Sequence, residues 1–195
     1  MPAHKLLLHP KDASFRVPVK VLAERLQDLG LIGTATPLPG GEFYPAGEYF
    51  LQLVTFLGCA PTIELAPPRD PAQLETASRN GAFCHVFLDS HAQAQFRHDP
   101  RTPAPRCPHC GESVANWTAL LNTIHENPAQ TQWTCTACGR CGDLSTLHLR
   151  KSAALASCWV EIRGIYPSEA VPGDALLQCL GKLGGGDWQA IYLQE

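Results

Sequence analysis

Two short cysteine turns constrain this chain more than anything else in it. Cys107-Pro108-His109-Cys110 and Cys135-Thr136-Ala137-Cys138 are both CxxC pairs. A CxxC turn places two thiolates on one side of an ion with little strain, and two such turns complete a tetrahedral set of four soft ligands, the arrangement zinc favours. Cys107, Cys110, Cys135 and Cys138 are therefore the expected metal ligands, and Zn2+ the expected cofactor. Four sulfurs close the coordination sphere and leave no position for water or substrate, which makes the ion structural rather than Lewis-acidic.

These residues also admit other readings. The CPHC pair matches the active-site dithiol of thiol oxidants, in which a helix N-terminus lowers the thiol pKa. Such a dithiol should follow a buried strand and open a helix, whereas Thr102-Pro103-Ala104-Pro105-Arg106 precedes this one and Gly111 interrupts it. Cys141, in CTACGRC, stands either as a spare thiol or as a substitute ligand, and His109 and His125 are further possible donors. The stretch from about 105 to 150 resembles the zinc-ribbon family, whose knuckles have the form CPxCG and CxxCG, here Cys107-Pro108-His109-Cys110-Gly111 and Cys135-Thr136-Ala137-Cys138-Gly139. The resemblance implies that the glycine after each second cysteine takes positive φ and aims backbone N–H groups at sulfur. It covers under a quarter of the chain.

With 195 residues, 45% of them hydrophobic, the chain can bury one core plus a small appendage. One body with a metal-bound insertion is the economical organisation: 1–100 and 152–195 form the body and 101–151 the insertion. No run of eighteen or so apolar residues reads as a membrane span, and MPAHKLLLHP is too short in apolar residues for a secretory leader. A cytoplasmic location, where nine cysteines stay reduced, is expected. Cys59, Cys84, Cys158 and Cys179 sit in apolar runs as small hydrophobes.

Charge excludes little. The net charge is −3, and only residues 97–151 carry more basic than acidic groups, six against four. Arg97, Arg101, Arg106, Arg140, Arg150 and Lys151 make a small patch at most, less than the basic face a nucleic-acid binder presents.

Hydrophobic period predicts an amphipathic helix after Pro18, with Leu22, Leu26 and Leu29 on its buried stripe and Gly30 at its exit. A mostly buried helix is expected over 47–58, with strands at 62–65 and at FCHVFLDS, where His85 is a satisfied core histidine. Asp89, His91, His98 and Asp99 follow in what reads as a solvated polar linker; they are the one polar cluster that an enzyme reading would use. In the insertion, Trp117 and Trp133 should pack beside the metal turns, and 144–149 should be a strand. Residues 158–163 alternate as a strand with one buried and one wet face. Asp174 is a plausible N-cap for a helix carrying Leu176, Leu180 and Leu183; Gly184-Gly185-Gly186 ends it, and 188–193 is the last strand. GEYFLQLVTFLG at 47–58 aligns without a gap to GDALLQCLGKLG at 173–184.

The expected fold is α+β, a mostly antiparallel sheet with helices on one face, close to a ferredoxin-like sandwich if that repeat is real, plus an inserted zinc ribbon. The expected function is a non-catalytic zinc-binding interaction module with a macromolecular partner, protein favoured. An enzyme with its site in the body and nucleic-acid binding through the ribbon (Arg106, Arg140, Arg150) are the alternatives.

Overall fold

The computed structural model describes residues 4–39, 41–57, 63–166 and 169–194. The expectations that touch Gly58, Cys59 and Thr62 lie outside them. The protein is a mixed α+β structure built on a six-stranded antiparallel sheet. In chain order the described elements are β1 (His4–Pro10), α1 (Val19–Asp28), β2 (Thr36–Leu38), β3 (Gly41–Pro45), α2 (Phe50–Leu53), β4 (Val54–Phe56), α3 (Pro71–Arg79) and β5 (His85–His98). Then follow α4 (Trp117–Glu126), β6 (Gln132–Thr134), β7 (Cys141–Asp143), β8 (Ala153–Arg163), β9 (Ala170–Pro172), α5 (Asp174–Gly181) and β10 (Trp188–Gln194). The large sheet runs β10-β1-β8-β5-β3-β2; β4 pairs with β9 and β6 with β7.

The first strand sits deep in this sheet. Leu6, Leu7 and Leu8 are all fully buried, which requires cover on both faces, because successive side chains of a strand point opposite ways. On one face Leu6 and Leu8 join Val86, Leu88, Val160 and Ile162 under Leu22 and Leu26 of α1 and Leu176 and Leu180 of α5. On the other, Leu7 packs with Trp159, Ile191, Ala154 and Ala156.

The second face is covered because β5 and β8 fold back over it. Tyr192 pairs with Leu6, and Leu6 with Ile162, so straight strands would leave Lys151 roughly 35 Å from Tyr192 along the sheet. Instead the Tyr192 N–H donates to the Lys151 carbonyl at 2.8 Å, and the Gln194 N–H to Asp99 Oδ2 at 3.0 Å. The β5/β8 pair therefore arches, and its register shift between Ser90 and Gln95 is the kind of irregularity that bends a strand.

This arch overturns two expectations. Residues 89–98 are not a solvated linker but the distal half of β5: Asp89 and Ser90 pair with Trp159 and Cys158 of β8, and Gln95 to His98 with Ala156 to Ala153. Nor is the polar side of 158–163 wet: Glu161 is 4% exposed and accepts from Lys5, Arg97 and Arg163. Arg97, delivered by the arch, also pairs with Asp89 at 2.6 Å and lies over the Trp159 ring. An alternating pattern of charge and apolar residue indicates two faces, not which solvent each meets.

The segment 47–58 differs as well. Only Phe50–Leu53 is helical, and the chain then extends into β4 against β9, with the Leu53 carbonyl accepting from Gly173 N–H at 2.7 Å. β-Branched Val54 and Thr55 suit that strand better than a helix interior. Leu51 is 54% exposed, so the expected mostly buried helix does not form. The two aligned glycine-bounded segments thus have different structures: the second is the eight-residue α5. Gly173, rather than Asp174, is the residue before its first turn. The glycine triplet is a turn in which Gly184 and Gly185 have positive φ and lie against Phe15.

Candidate metal centre

Between β5 and β8 the chain forms two matching cysteine turns. In the first, the Cys107 N–H donates to the Glu112 carbonyl at 2.7 Å and the Gly111 N–H to the Cys107 carbonyl at 2.9 Å. In the second, Cys135 and Arg140, and Gly139 and Cys135, repeat both bonds at 2.7 and 2.9 Å. Gly111 (φ 76°) and Gly139 (φ 70°) are both left-handed, the conformation that closes each turn, and glycine adopts it without a Cβ penalty.

The two turns face one another. The Sγ atoms of Cys107, Cys110, Cys135 and Cys138 all lie within 4.8 Å of each other. Cys107 Sγ is 3.8 Å from Cys138 Sγ, and Cys110 Sγ 3.6 Å from Cys135 Sγ. A tetrahedral ion with metal–sulfur bonds of about 2.3 Å requires sulfur–sulfur edges of about 3.8 Å. The spacing is far too long for disulfides and fits one ion within the cage, so the four cysteines can hold a metal. Cys141 is on β7, exposed and outside the group; His109 and His125 are also exposed.

Burial opposes ionisation of Cys107, but the N–H groups of Cys110 and His109 and the neighbouring thiols draw its pKa down to about 7. At Cys110 the Glu112 N–H favours the thiolate, yet burial and the three surrounding sulfurs push the thiol up to about 12. Four thiols this close resist collective ionisation, since each new charge faces the others; a bound dication reverses that balance.

A small core holds the turns. Trp117, Leu121 and Ile124 of α4 pack with Val114, Trp133, Leu144, Leu147 and the buried Cys107 and Cys135. Trp133 donates from Nε1 to the Asp143 carbonyl at 3.0 Å and to Thr146 Oγ1 at 3.1 Å, and Trp117 from Nε1 to the Thr102 carbonyl at 3.1 Å. Both tryptophans thus pack beside the cysteine turns. The helix α4 between the two turns goes beyond the sequence-based expectation, although Leu121 and Ile124 stand at helical spacing from Trp117. Residues 144–149 do not form the expected strand: Leu144–Thr146 is a single 3-10 turn. Asp143 Oδ1 caps it by accepting from the Ser145 N–H. The same core continues into Ala153, Leu155 and Phe96 of the arch, so the cysteine segment is joined to β5 and β8 by side-chain packing as well as by its two chain connections.

The other candidate residues are dispersed. Asp89 is engaged by Arg97. Asp99 accepts from the N–H groups of Arg101 and Gln194, and these bonds, with the Arg101 charge, hold its carboxyl below the ordinary value despite burial. His98 stacks on Phe96 and its Nδ1 meets the Asp99 carbonyl, while His91 Nε2 is buried without a partner. Neither histidine bonds a carboxylate among the described residues, so no acid–base pair is assembled from them. The basic residues are also divided: Arg97 and Arg101 are committed to carboxylates, and Arg106 donates to the Gly111 carbonyl, leaving exposed Arg140, Arg150 and Lys151. No helix among the described residues is long and apolar enough to cross a membrane. Against known protein families, curated proteins and solved structures, the chain shows no match.

Proposed function

We propose that this is a zinc-binding protein in which a closed four-cysteine site builds a ribbon-like module, and that the module and its α+β body act by binding a macromolecular partner. The observation carrying the metal part is the set of sulfur–sulfur distances, 3.6 and 3.8 Å across opposed turns, which match a tetrahedral thiolate cage. An all-sulfur donor set selects zinc over hard cations, and an ion with four protein ligands has no open position for chemistry. The choice of zinc over four-cysteine iron rests on zinc's preference for closed structural cages. The body is read as a ferredoxin-like sandwich whose central strands run β10-β1-β8-β5, enlarged by β3 and β2, with 101–151 as its insertion.

The partner is proposed to be a protein. Large exposed apolar side chains among the described residues are Val21, Tyr49, Leu51, Leu57 and Tyr166, all on the body. The exposed cations left in the ribbon segment, Arg140, Arg150 and Lys151, are too few for a phosphate-tracking face. In this reading the ribbon supplies a rigid polar surface and the body the apolar contacts.

The test has two parts. Metal analysis of purified protein should return one zinc per chain, reduced to background in Cys107→Ser/Cys135→Ser; a folded, metal-free wild type overturns the reading. Affinity capture at moderate salt should retain a protein that survives nuclease treatment. Loss of all capture on nuclease treatment, or on replacing Arg106, Arg140 and Arg150 together, transfers the role to nucleic acid. An activity abolished by His91→Ala or His98→Ala would place an enzyme site in the body.

A further inference from the structure

A second site, unrelated to the cysteines, lies where the ribbon's last segment meets the sheet. Between residues 144–151 and strands β1, β8 and β10 is an open cavity of about 820 Å³, within the roughly 300–1,000 Å³ range of small-molecule pockets. Its charged lining is of one sign. Lys11, Arg150 and Lys151 border it, His9 and His148 add two imidazoles, and among its described lining residues there is no aspartate or glutamate. The acidic residues nearest in sequence are engaged elsewhere: Asp12 accepts from Ser14, and Asp143 from Thr131 and Ser145. Leu144, Leu155, Ile191 and Tyr192 supply an apolar wall.

Two further observations distinguish this cavity from a chance basic crevice. Arg150 has φ 58°, a left-handed conformation shared among the described non-glycine residues only with Asn116. An arginine accepts that strain at a cost, and such strain collects where structure is held for a purpose. The neighbouring Lys151 is fixed by its carbonyl, which accepts from Tyr192 N–H on β10. His9 is 7% exposed, and its Nδ1 donates to the Pro10 carbonyl at 3.0 Å, which leaves Nε2 as the ring's acceptor. Burial holds the His9 pKa below its ordinary value and so favours the neutral ring.

We propose that this cavity binds a small organic anion, a phosphate or carboxylate group on an apolar body, with Arg150, Lys151 and Lys11 receiving the anionic head and the leucine-lined wall the remainder. The ligand would bridge ribbon and sheet, since both contribute lining residues. This inference stands independently of what fills the cysteine cage.

The test uses two dyes of similar shape on the full-length protein: anilinonaphthalene sulfonate, which is anionic, and N-phenylnaphthylamine, which is neutral. The sulfonate should bind saturably at one site per chain, at least about tenfold more tightly than the neutral dye, a difference of about 1.4 kcal/mol. Decyl phosphate or decanoate should displace it, and which of the two does so better identifies the head group. Arg150→Glu/Lys151→Glu should weaken the sulfonate about tenfold or more, with Arg150→Gln/Lys151→Gln as the milder pair should charge reversal impair folding. Arg106→Glu/Arg140→Glu, outside the cavity, should leave binding unchanged. Equal affinity for both dyes, displacement by neither anion, or indifference to both Arg150/Lys151 pairs would overturn the proposal.

Discussion

Glu161 shows how far a single side chain can depart from its sequence context. It is 4% exposed, and although burial raises its pKa, Lys5, Arg163 and Arg97 together hold the carboxyl below its ordinary value. Glu161→Gln leaves three cations around a neutral group, so unfolding by urea should show a loss of about 3–5 kcal/mol, the range for breaking one side of a buried ion cluster. His85 sets a pH dependence. Its Nδ1 meets the Phe83 carbonyl and its Nε2 Ser78 Oγ, both at 2.8 Å, and burial drives its pKa from 6.5 down to about 4. The unfolded imidazole binds protons that the folded one refuses, so stability is complete above about pH 6.5 and declines as pH falls towards 4, by up to about 3 kcal/mol. Denaturant midpoints measured across that window should flatten in His85→Gln, with His9, lowered for the same reason, leaving a residual slope. The four cysteines are legible in the sequence because their spacing is a local property of one turn. The burial of Glu161 is not, because Arg97 reaches it only after the chain has arched back.

At the scale of elements, legibility follows how much of each element's cause lies within it. α1 and β10 carry their own periodicity and lie where expected. β5 extends past its expected end at Ser90 because Gln95 to His98 pair with Ala153–Ala156, a distant contact that their polar sequence does not announce. α3 escapes a reading by apolar period because its sequence is polar, despite Asp70, whose Oδ1 accepts from the Ala72 N–H, and Pro71 in the first turn. The glycine turns give a direct comparison of local and tertiary causes. Gly111 has positive φ with open space where a Cβ would stand, whereas at Gly164, also positive, a Cβ would collide with the Phe83 carbonyl. Gly111→Ala should therefore cost only the conformational strain, about 1–2 kcal/mol. Gly164→Ala must displace backbone as well and should cost distinctly more, as thermal unfolding of the two variants side by side would show. Equal losses would mean that the Phe83 segment yields freely.

Among the described residues of the molecule, three apolar clusters share one scaffold. The largest lies between the sheet and α1 and α5; a smaller core surrounds the cysteines and merges with the arch through Ala153 and Leu155; a third packs around Leu7 on the sheet's other face. If an ion holds the cysteine core, its removal should act unevenly. Hydrogen exchange after chelation should accelerate across α4 and the β6/β7 hairpin, while β1 and the paired centre of β8 remain protected; uniform acceleration would mean that the body also depends on the ion. The antiparallel α+β class can be inferred from the chain, but the arch cannot, since it depends on contacts between residues as distant as Lys151 and Tyr192. The central claim is that four sulfurs enclose one ion and nothing else reaches it. X-ray absorption at the zinc edge of the purified protein tests it most directly. One shell of four sulfurs at about 2.3 Å is the predicted result; an oxygen or nitrogen neighbour in that shell, or folded protein without zinc, would contradict it.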